Sequence, residues 1–152
     1  MKIILMRHGQ AEDETRPDSA RQLTDFGQQQ AAQTADYIMA NYSPDFFVVS
    51  PYIRAQQTLA QLQSRAPNIP ATIQDNITPA DDARAALVEL AVIEAECVVV
   101  VCHMSIVAHL ASVLTGDSPE SFSLAEARVF DMDFVMSGMA NEVDRFVPVQ
   151  PH

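Results

Sequence analysis

Short apolar runs alternate along the chain with stretches whose apolar residues recur every three or four positions. The runs are Lys2 to Met6, Phe46 to Val49 and Cys97 to Val101. Each is too short for a buried helix and mostly β-branched or aromatic, so they predict central strands covered on both faces. Between them, helical spacing is kept by Ala31, Ala35, Ile38 and Met39, by Tyr52, Ala55, Leu59 and Leu62, by Ala83, Leu87 and Leu90, and by Ile106, Leu110, Val113 and Leu114. Each set would bury one stripe against the sheet. Thr24 is placed to cap the first helix, and Gly116 follows the last apolar position of the fourth, where a left-handed residue commonly ends a helix. Ala71 to Gln74 is a weak strand. Phe130, Met132 and Phe134 alternate with Asp131 and Asp133, which predicts a strand with one wet face, and Val143 to Val147 adds a candidate last strand. The order β-α-β-α-(β)-α-β-α predicts an α/β three-layer sandwich with a mostly parallel central sheet, helices on both faces and antiparallel character near the C-terminus. Residues 1–152 read as a single domain, without repeats, low-complexity stretches or a linker.

Composition narrows the partners. Nine basic residues against 20 acidic ones give a formal charge of −11, and 48% hydrophobic with 19% charged residues describes a folded globule rather than a disordered acidic tail. The single lysine and eight scattered arginines do not make the cationic field that a nucleic acid requires, so no nucleic-acid partner is expected. No apolar run approaches the roughly 20 residues of a membrane-spanning helix. The opening Ile3-Ile4-Leu5-Met6 is too short for a signal-peptide core. A cytoplasmic, monomeric protein is expected, with no exposed apolar stripe evident. Cys97 and Cys102 fall on opposite faces of one strand, where no disulfide can form. His103 and His109, six apart, do not share a helical face, so neither a structural metal nor a cofactor is called for.

Ligands of open α/β sheets gather at the carboxyl ends of the parallel strands. Here the first strand is followed by Arg7, His8 and Gly9, the second by Ser50, Pro51 and, one turn on, Arg54, and the fourth by His103. Two arginines and two histidines thus converge on one sheet edge in a chain poor in cations. Arginine forks match phosphate oxygens, and a phosphoryl group in transfer carries charge that they neutralise. His8 can act as a nucleophile if one ring nitrogen is held as a donor and the other is bare. Positive neighbours favour that neutral form. Gly9 would let backbone or substrate approach closely.

These residues also carry a resemblance. Ile4-Leu5-Met6-Arg7-His8-Gly9 resembles the signature of the histidine phosphatase (phosphoglycerate mutase-like) superfamily. Asp18-Ser19-Ala20-Arg21-Gln22-Leu23-Thr24 with Gly27, then Ser50-Pro51-Tyr52-Ile53-Arg54-Ala55-Gln56-Gln57-Thr58, then Cys102-His103, are similar to the small SixA-type phosphohistidine phosphatases. The four blocks keep their order and spacing from Met1 to about Leu114. The resemblance implies His8 as the phosphorylated nucleophile, with Arg7, Arg21 and Arg54 holding the phosphoryl oxygens, His103 donating a further hydrogen bond, and Gly9 in the phosphate-binding loop. Arg21 carries no signal of its own. Gln22 and Gln10 depart from the proline and the acidic residue usual at their positions.

The implied activity is hydrolysis of phosphohistidine on a phosphorylated protein, such as a signalling or phosphotransfer domain. Many larger family members carry a carboxylic general acid after the third strand, whereas the stretch Asp75-Asn76-Ile77-Thr78-Pro79-Ala80-Asp81-Asp82 holds carboxylates that do not align with it. An imidazole leaves more readily than an alkoxide and needs that acid less. The alternatives are a small-molecule phosphomonoesterase or mutase, using Asp75, Asp81 or Asp82 as acid, and a phospho-ligand binding module without turnover. A cysteine-phosphatase reading fails because Ala108, not arginine, stands six residues after Cys102, which is read as a packing residue. Met104 is expected at the pocket mouth, and His109 to be structural or exposed. Asp18 either orients Arg21 by an ion pair or is a capping or solvated loop acid. Arg16, Arg65, Arg84, Arg128 and Arg145 are expected on the surface.

Overall fold

The three apolar runs form adjacent strands of one six-stranded sheet. A computed structural model describes residues 1–14 and 16–152. Its strands are β1 (Lys2–Arg7), β2 (Phe46–Val49), β3 (Ala71–Ile73), β4 (Cys97–Cys102), β5 (Ala127–Asp131) and β6 (Asn141–Phe146). The helices are α1 (Asp25–Asn41), α2 (Ile53–Arg65), α3 (Ala83–Ala91) and α4 (Ile106–Thr115), and a single 3₁₀ turn spans Asp18–Ala20. The sheet order is β3-β2-β4-β1-β5-β6. β3, β2, β4 and β1 are parallel, while β5 and β6 are antiparallel to their neighbours, as the sequence predicts.

Alternation of side chains divides the core into two layers. Ile3, Leu5, Val98, Val100 and Cys102 face α3 and α4, whereas Ile4, Met6, Val99, Val101 and Cys97 face α1 and α2. The two cysteines thus lie on opposite faces, both unbridged. Thr24 caps α1 by accepting the Gly27 N–H at 3.0 Å, and Gly116 ends α4 at φ 83°, both at their expected places.

The antiparallel end differs from its expectation. β5 begins at Ala127 and is buried through Phe130 on both faces, because Ala127 and Val129 pack into the layer with α1 and α2 while Phe130 packs into the layer with α3 and α4. Phe134 lies beyond the strand and is exposed. β6 starts at Asn141, two residues before the expected Val143. Nor is the surface free of apolar groupings. Val88 and Val92 on and after α3, with Phe134 and Met136 after β5, are exposed beside a groove of about 290 Å³. Among the described residues, no helix is long and apolar enough to cross a membrane.

Candidate functional site

Strand register brings the two histidines and Ser50 together. Arg7 pairs with Cys102, so His8 and His103 follow at the same level, and the His8 N–H donates to Cys102 C=O at 3.1 Å. Val49 pairs with Val101, and the Ser50 N–H reaches Val101 C=O at 3.1 Å. The two imidazole centroids are 5.1 Å apart. Both rings are buried, His8 at 7% exposure and His103 at 0%.

His8 is held through both nitrogens. Its Nδ1 lies 2.6 Å from Gly9 C=O, which can only accept, so Nδ1 carries the proton and Nε2 the lone pair. Nε2 in turn accepts from Arg54 Nε at 3.3 Å. Burial, reinforced by the charges of Arg54, Arg7 and Arg21, lowers its pKa to about 3 against the pull of the Gly9 bond. A neutral imidazole with a directed lone pair is the form a nucleophile requires.

The turn after His8 is made by two glycines in contact. A Cβ on Gly9 would stand 2.4 Å from Gly27 C=O, and one on Gly27 would stand 2.1 Å from Gln10 C=O. The close approach at Gly9 is therefore with backbone, and its N–H is taken by Thr58 Oγ1 at 3.2 Å. Thr58 also donates to Arg54 C=O at 2.8 Å, which ties α2 to the turn. Buried Gln30 accepts the Gln10 N–H at 2.9 Å and donates to Val149 C=O at 3.0 Å, so the C-terminal segment braces the same turn.

Arg54 emerges from the first turn of α2 and is only 4% exposed. Its Nη1 donates to Asp18 C=O at 2.6 Å and its Nη2 to the Asp18 carboxylate at 3.3 Å. Arg21, in the loop after the 3₁₀ turn, donates from Nη1 to the other oxygen of that carboxylate at 2.9 Å and from Nε to Glu12 C=O at 3.0 Å. Asp18 therefore orients Arg21 and Arg54 together, which decides the alternative left open in the sequence. Partial desolvation raises its pKa, but hydrogen bonds from Arg21 and Arg54 and their charges hold it below its ordinary value.

Arg7 reaches from β1 to donate through Nη1 to Phe122 C=O at 2.8 Å. The segment carrying Phe122 is fixed by a buried ion pair. Arg128 Nε lies 2.5 Å from Glu126, its other nitrogens donate to Glu120 and Ser121 carbonyls, and its guanidinium sits 3.8 Å over the Phe122 ring. Arg128 is 2% exposed, not a surface residue as expected. It is buried because the Glu126 carboxylate and the Glu120 and Ser121 carbonyls take its donors. Arg16, Arg65 and Arg84 are exposed, and so is Arg145, which forms ion pairs with Glu120 and Glu142.

Two buried side-chain polar atoms among the described residues have no partner, Arg7 Nε and His103 Nδ1. Both belong to this cluster, beside arginine forks suited to a tetrahedral oxyanion. Two of the three carboxylates after the third strand are employed elsewhere. Asp81 accepts from Thr78 N–H and Oγ1 at 2.8 and 2.5 Å, and Asp82 caps α3. Asp75 is exposed. Asp81, Met104 and exposed His109 line a cavity of about 430 Å³, with Met104 directly following His103 in the chain. Burial pushes the Cys102 thiol up to about 12, in keeping with a packing role.

Sequence reasoning missed Thr58, Gln30, the Phe122 carbonyl and the Glu126–Arg128 pair. Thr58 had one usable signal, its position four residues after Arg54 on a helix, where side chains share a face.

The ends of β1 and β4, the start of α2 and the loop of Arg21 thus bring two histidines and three arginines together, a set of groups suited to a phosphoryl ligand. The profile of the histidine phosphatase superfamily (branch 1) matches residues 3–79, and the chain belongs to that family. It is 33% identical over 136 residues to the phosphohistidine phosphatase SixA homolog of Haemophilus influenzae, covering 80% of this chain and 82% of that one. It is 28% identical over 148 residues to the phosphohistidine phosphatase SixA of Escherichia coli, covering 93% and 91%. The solved structure of the protein histidine phosphatase SixA complexed with tungstate superposes with a TM-score of 0.89 at 26% identity, over 97% of each chain.

Proposed function

We propose that this protein hydrolyses phosphohistidine on another protein, such as a phosphotransfer domain, through a phosphohistidine formed on His8. The observation that carries the reading is the pair of bonds that fixes the tautomer of His8, with the Nδ1 proton given to Gly9 C=O and the unprotonated Nε2 facing Arg54 Nε. The Nε2 lone pair attacks phosphorus in line as the bond from phosphorus to the substrate imidazole nitrogen breaks, and that nitrogen keeps the electron pair. Arg7, Arg21 and Arg54 neutralise the phosphoryl oxygens during transfer, and His103 donates a further hydrogen bond. Water then attacks the phosphorus on His8, releasing inorganic phosphate and restoring the free imidazole.

The substrate class follows from the leaving group. Departure of an alkoxide calls for a positioned acid, but Asp81 and Asp82 are committed to Thr78 and the start of α3, and Asp75 faces solvent. An imidazole whose other ring nitrogen is protonated leaves as the neutral ring and needs that acid less. The names of the similar proteins from H. influenzae and E. coli support the same substrate. Residues 1–152 act as one catalytic unit without a metal or cofactor in this reading.

The test is phosphate release, in EDTA, from a histidine-phosphorylated phosphotransfer domain and from a small phosphate monoester. Fast release from the protein with slow release from the monoester is expected. The reverse order would favour a small-molecule phosphomonoesterase, with Asp75, Asp81 or Asp82 as acid, and release from neither would favour a binding module.

A further inference from the structure

We propose that Ser50 is a positioning residue that keeps the His103 proton on Nδ1, so that His103 meets an incoming oxyanion as a hydrogen-bond donor. The identity of that oxyanion rests on the function proposed above; the tautomer does not.

The argument is a count of donors and acceptors. His103 is fully buried, and its Nε2 lies 2.7 Å from Ser50 Oγ, itself fully buried. Ser50 Oγ already accepts the N–H of Tyr52 at 3.2 Å. Burial, with the neighbouring His8, Arg54 and Arg7, keeps the His103 ring neutral, so it carries one proton on one of two nitrogens.

Suppose that the proton sat on Nε2. Ser50 Oγ would then accept two hydrogen bonds, its own O–H would compete for no remaining ring acceptor, and His103 Nδ1 would be a bare, buried lone pair. Such a lone pair repels a phosphoryl oxygen. With the proton on Nδ1, Ser50 accepts from Tyr52 and donates its O–H to Nε2, and both hydroxyl functions are used. The unpartnered Nδ1 is then an N–H among cationic groups, available to an anion. The Tyr52 ring packs edge-on against His103 at 5.1 Å and fixes the plane in which that donor lies.

This assignment belongs to the chain itself. Ser50 is placed by β2 and His103 by β4, and the parallel register of these strands brings the hydroxyl to the ring. The Tyr52 N–H at the start of α2 orients the hydroxyl oxygen. Ser50 touches no reacting atom in this scheme and acts through His103.

The test is histidine-selective nitrogen-15 NMR on the whole protein, recording two-bond proton-to-nitrogen correlations for His103. A protonated Nδ1 and a pyridine-like Nε2 are expected, with the Nδ1 proton moving downfield when inorganic phosphate is added. A proton on Nε2 overturns the proposal whether or not the enzyme cleaves phosphohistidine. In Ser50→Ala, the Nδ1-protonated form should lose its dominance and kcat should fall about 10- to 100-fold, less than the about 100- to 1000-fold seen when a transition-state donor is removed outright. KM should change less than kcat. Ser50→Thr, which keeps the hydroxyl, should retain the wild-type nitrogen pattern. If Ser50→Ala retains both the wild-type pattern and kcat, or if Ser50→Thr folds and loses the pattern, the assignment fails.

Discussion

Arg54 aims its Nε at Nε2 of His8 across 3.3 Å while its two terminal nitrogens hold Asp18. One guanidinium therefore orients the candidate nucleophile, anchors the loop that carries Arg21, and adds positive charge beside the phosphoryl position. Only the planar fork can reach these three directions at once. Arg54→Lys keeps the charge and loses the fork, and kcat/KM for phosphohistidine should drop by about 100-fold or more. A drop below threefold in steady-state kinetics would mean that charge alone suffices.

Acid should destabilise the fold through the two buried imidazoles. His8 is lowered from 6.5 to about 3 and His103 from 6.5 to about 2, both first by burial, with nearby positive charge adding to it. Between those values and 6.5 the unfolded chain binds more protons than the folded one, so stability rises with pH and is lost as pH falls below 6.5. Each histidine contributes up to about 1.4 kcal/mol per pH unit in that window. Urea unfolding at pH 7.5 and pH 5.5 should show the loss, and a His8→Asn/His103→Asn double variant should show less of it. Equal slopes for the two proteins would contradict the neutral, buried rings. By the same shifts, kcat/KM should not fall through imidazole protonation between about pH 7.5 and about pH 5, where an ordinary histidine becomes mostly charged.

The two apolar layers and the parallel strands were legible because β1, β2 and β4 are buried on both faces and read as unbroken runs. Strand ends then pointed to Arg7, His8, Arg54 and His103 by register. Arg21 was not legible from periodicity, since it lies in a loop and is placed by Asp18 and by the Glu12 carbonyl, contacts without a sequence period. β5 was read late for a physical reason. Its first residues hold Arg128 and follow directly on Glu126, whose charges suggest water, while the alternation from Phe130 to Phe134 imitates a half-wet strand. The pair neutralises itself inside the protein, which a pattern of single residues does not reveal.

The Gly27 contact predicts a sharp steric effect. A methyl group there meets the Gln10 backbone at 2.1 Å, and Gln10 stands two residues after His8. Gly27→Ala should cost about 2 kcal/mol or more in urea unfolding and reduce activity as the turn shifts. Gly138→Ala is the contrast. Nothing lies within 4 Å of its Cβ, and only its φ of 75° opposes substitution, so a cost of about 1 kcal/mol with unchanged activity is expected.

Breaking the pair behind Arg7 should be more costly. Arg128→Met leaves the Glu126 carboxylate buried beside the segment that presents the Phe122 carbonyl to Arg7. A loss of about 3 to 5 kcal/mol is expected from chemical denaturation, and the Glu126→Gln/Arg128→Met double variant should recover part of it. A neutral result for Arg128→Met would show that the pair does not hold this segment.

The most direct measurement is a rapid-quench experiment with a phosphotransfer domain carrying phosphorus-32 on histidine. Under single-turnover conditions, label should pass to the enzyme before free phosphate appears. It should be acid-labile and alkali-stable, map to the peptide containing His8, and be absent in His8→Ala. Release of phosphate at the wild-type rate from His8→Ala, or label on any other residue of the enzyme, would contradict the assignment of His8 as the nucleophile.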